Sequence, residues 1–253
     1  MPRAQELRAA PGWRTVELIS DLHLQASQPA TLAAWRRYMA ATTADALFIL
    51  GDLFEAWVGD DAAGRPGFEA DCAAVLRATA ARLPVFFLAG NRDFLVGAQL
   101  AQATGITLLG DPTVLAFGSR RWLLSHGDAL CLADTEYLAF RAQVRAGRWQ
   151  QDFLAQPLAQ RQAIASAMRS ESESLKQTGR AYADVDTAAA LQWLQAADAP
   201  VLVHGHTHRP AEHALDATHQ RIVLSDWDAE VTPPRLEALR ITLDGAAERV
   251  PLA

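Results

Sequence analysis

The sequence predicts an α/β fold built on buried, largely parallel strands. Five runs of apolar residues are near-continuous rather than alternating, which is typical of strands covered on both faces. They span residues 16–19, 46–50, 85–89, 122–124 and 201–203. With 253 residues, half of them apolar, the chain is long enough to bury a substantial core. We therefore expect a single domain over residues 1–253.

Helices are predicted between these strands by apolar spacing and by stop signals. Leu32, Trp35 and Met39 follow one another at intervals of three and four residues. Pro84 and Gly105 each end a helical pattern. Three helices are expected, over residues 29–43, 71–83 and 94–104. Turn-rich sequence predicts short strands over residues 106–121, 221–225 and 236–243.

A long segment between the fourth and fifth strands has a helical pattern. We predict a helical insertion, or cap, over approximately residues 130–190, standing above the edge of the sheet. A plain helical layer packed on the sheet is the alternative. Residues 135–182 carry seven basic and four acidic side chains, whereas the whole chain has 23 basic and 29 acidic. This local excess of positive charge predicts contact with an anionic ligand or surface.

Composition excludes several classes of function. A formal net charge of −6 argues against nucleic-acid binding driven by bulk electrostatics. The apolar runs are far shorter than the roughly 18 to 20 residues that span a bilayer, and no secretory signal is evident. Two cysteines, Cys72 and Cys131, do not make a disulfide framework. We expect a cytoplasmic protein with no nucleic-acid partner, and the sequence indicates no particular protein partner.

Each of the five predicted strands is followed by a short polar motif. The motifs are Asp21-Leu-His23, Gly51-Asp52, Gly90-Asn91-Arg92-Asp93, His126-Gly127-Asp128 and His204-Gly-His206-Thr-His208. Ligand sites of α/β sheets gather at the carboxyl ends of strands, so we expect these side chains to meet. Carboxylates and imidazoles without thiolates suit Mn²⁺, Fe²⁺ or Zn²⁺. Two such ions ~3.5–4 Å apart bind and activate phosphoryl groups, and the motifs supply ligands for two.

The order of these motifs resembles the calcineurin-like metallophosphoesterase superfamily. The resemblance implies a four-layer αββα sandwich, with two sheets face to face, helices outside and a helical cap inserted. It implies that the first metal is held by Asp21, His23, Asp52 and His208. It implies that the second is held by Asn91, His126 and His206, with Asp52 bridging both. Spacing alone allows His206 and His208 to share one ion, and His204 is expected to orient its neighbours rather than bind metal.

Arg92 departs from many members of that superfamily, which have histidine at this position. Arginine cannot donate a proton near neutral pH, but it binds phosphate oxygens in a bidentate fork. A proton donor matters little when the leaving group is a phosphate monoester, whose second pKa is about 6. Arg92 therefore favours cleavage of a phosphoanhydride over cleavage of a phosphomonoester.

Longer strings resemble a narrower family, the UDP-2,3-diacylglucosamine hydrolases of lipid A biosynthesis. They are GDLFEAWVGDD (51–61), GNRDFLVG (90–97), HGDALCLADTEYLAFR (126–141) and HGHTHRPAEH (204–213). The resemblance implies that water attacks the α-phosphorus of the substrate, releasing UMP and the acylated glucosamine 1-phosphate, lipid X. Catalytic residues would be Asp52, Arg92 and His126, and substrate-binding residues Asn91, Arg92, Asp134, Ser172, Lys176 and His206. Lys176 and Gly179 stand where the family has Asn and Lys, with Arg180 adjacent.

The same resemblance implies cofactors and partners. Two divalent ions, Mn²⁺ by preference, would serve the reaction, and the lipid-linked nucleotide would be the substrate. A basic cap with Phe140, Trp149 and Phe153 favours peripheral association with the anionic cytoplasmic face of the inner membrane. Two alternatives remain: a metallophosphodiesterase or nucleotide pyrophosphatase for a soluble substrate, and a metal-stabilised binding module without catalysis. The complete ligand set argues against the binding module.

Overall fold

Twelve strands and seven helices form the part of the chain described by the computed structural model, residues 3–177 and 183–252. The side chains of residues 170–177 also lie outside this description. The strands are β1 (Gln5–Arg8), β2 (Thr15–Ile19), β3 (Ala46–Leu50), β4 (Val85–Leu88), β5 (Thr107–Leu109), β6 (Thr113–Phe117), β7 (Arg120–Leu124), β8 (Val201–His204), β9 (Ala211–Ala214), β10 (Gln220–Val223), β11 (Glu237–Thr242) and β12 (Ala247–Pro251). The helices are α1 (Pro29–Ala41), α2 (Phe68–Ala80), α3 (Ala98–Thr104), α4 (Thr135–Val144), α5 (Gly147–Leu154), α6 (Leu158–Gln177) and α7 (Thr187–Ala197).

The strands make two six-stranded sheets. One has the order β1-β6-β7-β8-β10-β9, and the other has the order β12-β11-β2-β3-β4-β5. Within the second sheet β2, β3, β4 and β5 are parallel, and within the first β7, β8 and β10 are parallel. The prediction of buried parallel strands is therefore confirmed for all five apolar runs. These strands divide between two sheets, so their carboxyl ends meet because the sheets face each other.

Alternate residues of the central strands enter two different apolar layers. Phe48 and Leu50 of β3 pack between the sheets against Trp122 and Leu124 of β7. The intervening Ile49 belongs instead to the cluster formed with the helices on the outer face of that sheet. On the other sheet, α7 covers the outer face in a separate apolar cluster. The four-layer αββα sandwich is thus confirmed, and every central strand is apolar on both faces because both faces are covered.

Two of the predicted helices begin at different residues from those expected. The second helix, α2, begins at Phe68 and ends at Ala80, three residues earlier at each end than predicted. The third helix, α3, begins at Ala98 rather than Phe94. The carboxylate of Asp60 accepts hydrogen bonds from the backbone N–H groups of Gly97 (3.1 Å) and Leu100 (2.9 Å). These bonds pair backbone N–H groups at the start of α3 that have no partner within the helix.

Helices α4, α5 and α6 lie between β7 and α7, within the range predicted for the insertion. α7 packs on the outer face of the first sheet. This helix therefore matches the alternative prediction, a helical layer packed on the sheet. Trp149 stacks on Phe153 with ring centroids 4.9 Å apart, and both belong to the apolar cluster that covers the outer face of the second sheet. Among the described residues, no helix combines the length and the apolarity needed to cross a bilayer.

Candidate metal centre

The five motifs come together at the facing carboxyl ends of the two sheets. One ligand atom each from Asp21, His23 and His208 lies within 4.8 Å of the others, and the same is true of Asp21, Asp52 and His126. Asp21 belongs to both groups. The ligand pattern predicted from scattered motifs therefore corresponds to one compact cluster.

Asn91 joins His126 and His206 in the same cluster. Its Oδ1 lies 2.9 Å from His126 Nε2 and 2.9 Å from His206 Nδ1. His126 Nε2 in turn lies 3.7 Å from Asp52 Oδ2. The seven side chains predicted as ligands are thus connected, with Asp52 and Asp21 between the two halves.

The backbone at the cluster is held in an unusual conformation. Six non-glycine residues among those described have a positive φ, and five of them are predicted ligands. These five are Asp21 (56°), His23 (48°), Asp52 (52°), His206 (66°) and His208 (52°). Left-handed backbone costs a non-glycine residue about 1–3 kcal/mol and persists only where the surroundings enforce it. The fold therefore uses packing energy to aim these side chains at one place.

Glycine is required where two of the motif loops touch. A Cβ on Gly90 would overlap the backbone nitrogen and the carboxylate of Asp52, and a Cβ on Gly51 would overlap the backbone of Gly90. The φ of Gly51 is also +88°, which an L side chain rarely adopts. The two loops can bring Asp52 and Asn91 together only because both glycines lack a side chain.

A hydrogen bond orients the imidazole of His126, and a carboxylate lies behind that of His23. His126 Nδ1 donates to the carbonyl oxygen of Leu50 at 2.9 Å, so its Nε2 faces the cluster. His23 Nδ1 lies 3.0 Å from Glu55 Oε2, and its Nε2 faces His208 Nε2 at 3.1 Å. A proton held on the outer nitrogen leaves the inner lone pair for a cation.

Buried charges shift the pKa values in a way that favours a cation. Burial alone would lower the pKa of His126, but nearby carboxylates, led by Asp52, outweigh it and raise that pKa to about 9. Burial opposes ionisation of Asp21, yet the neighbouring histidines, led by His208, hold its pKa below the usual range. Burial, together with the charge of His126, lowers the pKa of His206 to about 4. The cluster thus combines ionised carboxylates with imidazoles. These imidazoles are either neutral or carry a proton that a metal ion can replace.

The residues fit a pair of divalent cations. Asp21 Oδ1 is buried without a hydrogen-bond donor, although it lies in the middle of the cluster. The inward nitrogens of His23 and His208 face each other at 3.1 Å, an arrangement suited to a shared ion. Imidazole, carboxylate and amide oxygen are the donors that borderline first-row ions accept. The geometry therefore supports divalent metal.

Asp93 is a structural residue of the site that the sequence reasoning did not single out. Its carboxylate accepts hydrogen bonds from the backbone N–H groups of Gly90 (2.8 Å), Leu53 (2.8 Å) and Asp52 (3.3 Å). Burial and the nearby charge of Asp52 raise the pKa of Asp93 to about 7. Its position within the third motif was the available signal. Asp93 joins the loop after β3 to the loop after β4.

His204 lies behind the cluster, in agreement with its expected role. Its Nδ1 donates to the carbonyl oxygen of Gly205 at 2.8 Å, and its Nε2 accepts from Arg221 Nη1 at 3.3 Å. Arg221 also donates two hydrogen bonds of 2.8 Å to Asp184. Burial lowers the pKa of His204 to about 4, so the ring is neutral. This chain of contacts joins the last motif to the segment that precedes α7.

The predicted substrate-binding residues have different positions. Arg92 donates its backbone N–H to Asp52 Oδ1 at 2.8 Å, and its guanidinium lies 3.6 Å from Glu55. The carboxylate of Asp134 accepts from the N–H of Tyr137 and caps α4. The side chains of Ser172 and Lys176 lie outside the described residues, as do Gly179 and Arg180.

The basic side chains of the insertion turn largely toward the core. Arg141 donates to Asp128 at 2.7 Å, and Arg145 donates to the carbonyl oxygen of Gly90 at 2.8 Å. Arg161 is buried and binds Asp61 and the carbonyl oxygen of Val58. Asp61, the last residue of the string GDLFEAWVGDD, thus anchors α6. The insertion is attached to the site by these arginines.

Neither cysteine can act as a nucleophile at the site. Burial raises the pKa of the Cys72 thiol and of the Cys131 thiol to about 12. We expect iodoacetamide at about pH 8 to label neither residue in the native protein and both in guanidinium chloride, because only a thiolate reacts. Intact mass spectrometry measures the labelling. Alkylation of native Cys131 with loss of activity would contradict the expectation.

Comparison with known proteins finds a matching family and similar proteins. The family model for calcineurin-like phosphoesterases matches residues 15–210. A UDP-2,3-diacylglucosamine hydrolase from Chromobacterium violaceum is 49% identical over 221 residues, which cover 84% of this chain and 90% of that protein. A UDP-2,3-diacylglucosamine hydrolase from Bordetella pertussis is 44% identical over 236 residues, which cover 90% of this chain and 92% of that protein. An archaeal phosphodiesterase of known structure is 10% identical, with a TM-score of 0.47 over 93% of this chain and 98% of that chain.

The family model spans the five motifs, and both relatives cover most of the chain at more than 40% identity. The chain therefore belongs to the calcineurin-like phosphoesterases and, within them, to the UDP-2,3-diacylglucosamine hydrolase family.

Proposed function

We propose that this protein hydrolyses the pyrophosphate bond of UDP-2,3-diacylglucosamine, releasing UMP and 2,3-diacylglucosamine 1-phosphate in lipid A biosynthesis. The observation that carries the proposal is the ligand cluster with Arg92, not histidine, at its edge. The names of relatives that are 44–49% identical support the same substrate. Its reaction class is hydrolysis of a phosphorus-containing acid anhydride.

Asp21, His23, Asp52 and His208 would hold one ion, and Asn91, His126 and His206 the other, with Asp52 shared. We propose Mn²⁺ as the physiological ion. When bound, two such ions supply Lewis-acid activation of the attacking water and neutralise charge on the phosphoryl group. The contacts of Asp52 Oδ2 with His23 (3.9 Å) and His126 (3.7 Å) support its shared position.

The remaining residues bind and orient the substrate. The guanidinium of Arg92 would bind the phosphate oxygens, and no protein acid is needed for the leaving phosphate. Asn91 and His206 would also contact the substrate. Asp134, Ser172 and Lys176 would also bind the substrate, and Asp134 lies at the start of α4, where its carboxylate caps the helix.

Turnover of UDP-2,3-diacylglucosamine tests the function directly. We expect UMP release that depends on added Mn²⁺ and stops when EDTA is added. Unacylated UDP-glucosamine is the matched control, because it carries the same pyrophosphate without acyl chains. Equal turnover of both compounds would favour a nucleotide pyrophosphatase for soluble substrates instead, and hydrolysis of neither would exclude the proposal.

We further propose that the protein associates peripherally with the cytoplasmic face of the inner membrane. The described residues of the insertion include four exposed large apolar side chains, Leu132, Phe140, Leu154 and Met168. Since Arg141, Arg145 and Arg161 contact the core, apolar contact would contribute more than surface charge. We expect flotation with anionic liposomes that weakens little at high salt, and weaker flotation for Phe140→Ser. A protein that floats at neither low nor high salt concentration would contradict the proposal.

A further inference from the structure

Glu55 lies beside the metal cluster but is not among the predicted ligands. Its side chain is 13% exposed, and its two carboxylate oxygens have different partners. Oε2 lies 3.0 Å from His23 Nδ1, whereas Oε1 lies 3.6 Å from Arg92 Nη1 and 3.4 Å from Arg169 Nε. One buried carboxylate therefore connects a metal-ligating imidazole, the proposed phosphate-binding arginine and the insertion.

The His23 contact determines which nitrogen faces the cluster. With Nδ1 3.0 Å from Glu55 Oε2, His23 presents Nε2 to His208 Nε2 at 3.1 Å and to Asp52 Oδ2 at 3.9 Å. A carboxylate behind a ligating imidazole orients the ring and increases its basicity. His126 is oriented by the neutral carbonyl of Leu50, so the two halves of the cluster have acceptors of different charge.

The two arginine contacts bring together parts of the chain that are distant in sequence. Arg92 follows β4, whereas Arg169 is on α6, where it also donates to Gln25 Oε1 at 2.8 Å. Arg161 anchors the same helix to Asp61, and the eight residues from Arg161 to Arg169 make about two turns, so both lie on the same side of α6. Two guanidinium groups repel each other unless an anion lies between them. The Oε1 atom of Glu55 supplies that negative charge.

We propose that Glu55 is a positioning residue with a separate task for each oxygen. Oε2 holds His23 in its metal-binding tautomer, and Oε1 holds Arg92 and Arg169 as a pair that binds the phosphate oxygens of the substrate. The second task rests on the proposed function, whereas the first depends only on metal binding.

Two variants separate the tasks. Glu55→Gln keeps an oxygen beside His23 Nδ1 but loses the charge between the arginines, and Glu55→Ala loses both. The control is Glu248→Gln, an exposed glutamate on β12. Metal affinity is measured by titrating Mn²⁺ into metal-free protein without substrate. KM and kcat for UDP-2,3-diacylglucosamine are measured separately, and circular dichroism checks folding.

We expect Glu55→Gln to bind Mn²⁺ within about threefold of the wild-type affinity, whereas Glu55→Ala should lose about 10- to 100-fold for one of the two ions. Both variants should raise KM about tenfold or more, because the negative charge beside the two arginines is lost and their guanidinium groups then repel each other. The control should match the wild type in both measurements.

Wild-type metal affinity and wild-type KM in Glu55→Ala would overturn the inference. Equal loss of metal affinity in Glu55→Gln and Glu55→Ala would overturn the division between the two oxygens. If the wild-type protein does not hydrolyse UDP-2,3-diacylglucosamine, the proposed function fails. The metal titration then still decides the task of Oε2, since it uses no substrate.

Discussion

Asp52→Asn is expected to reduce kcat/KM by at least about a hundredfold, since even outer partners of metal ligands contribute 10- to 100-fold. The substitution keeps an oxygen that accepts the Arg92 N–H but removes the charge between His23 and His126. We expect metal content, measured by mass spectrometry of the purified protein, to fall for both ions together. Loss of only one ion would be expected for a residue belonging to one half of the cluster.

Asp71→Asn is the matched control for this experiment. Asp71 is on α2, with a side chain that is 66% exposed and makes only a loose surface ion pair with Arg36. Its variant should keep both ions and wild-type turnover. Full metal content and wild-type turnover in Asp52→Asn, reconstituted with Mn²⁺, would show that Asp52 does not bridge.

Arg92→His is expected to lower kcat/KM for the pyrophosphate substrate by roughly 10- to 100-fold, the equivalent of about 1.5–3 kcal/mol for a charged hydrogen bond. Histidine supplies a proton donor, which an anhydride does not need, and removes the two-pronged contact with phosphate oxygens. The same variant should gain relative activity toward a phosphomonoester, whose alkoxide leaving group does need a proton. The ratio of the two rates measures the change.

Melting temperature and Mn²⁺ content serve as controls for Arg92→His, and both should remain near the wild-type values. The backbone N–H of residue 92, which donates to Asp52, is unchanged by the substitution. Unchanged pyrophosphate kinetics in a folded, metal-loaded variant would show that the guanidinium is dispensable. Glu55→Gln, in contrast, disturbs the orientation of Arg92 without removing it.

The central strands were predictable because their signal is local. A run such as residues 46–50 is apolar at every position, and each side chain is buried regardless of which sheet the strand joins. Strands β1, β9 and β12 were missed because they have few apolar residues and are half exposed at sheet edges. Strand pairing holds them in place, and pairing leaves little trace in short polar sequence.

The predicted ligands follow the strands directly, so their convergence was accessible from sequence order. The role of Asp61 was not, since it depends on Arg161, which lies one hundred residues later in the chain. Contact of the basic segment with an anionic ligand or surface stays a prediction. The structure adds that Arg141 and Arg145 hold α4 against the motif loops, which no local pattern indicated.

Chemistry and location of the site were thus present in the linear order of residues: which donors exist, and that each follows a buried strand. The aim of those donors depended on contacts across the sandwich. Asp21 and Asp52 have left-handed backbone, which packing enforces. Segments that no local pattern connects are joined by the backbone hydrogen bonds to Asp93. They are also joined by the contacts of Glu55 with His23, Arg92 and Arg169. Such strained torsions and long-range contacts are paid for by packing of the whole fold, and they therefore become visible only when the two sheets are assembled.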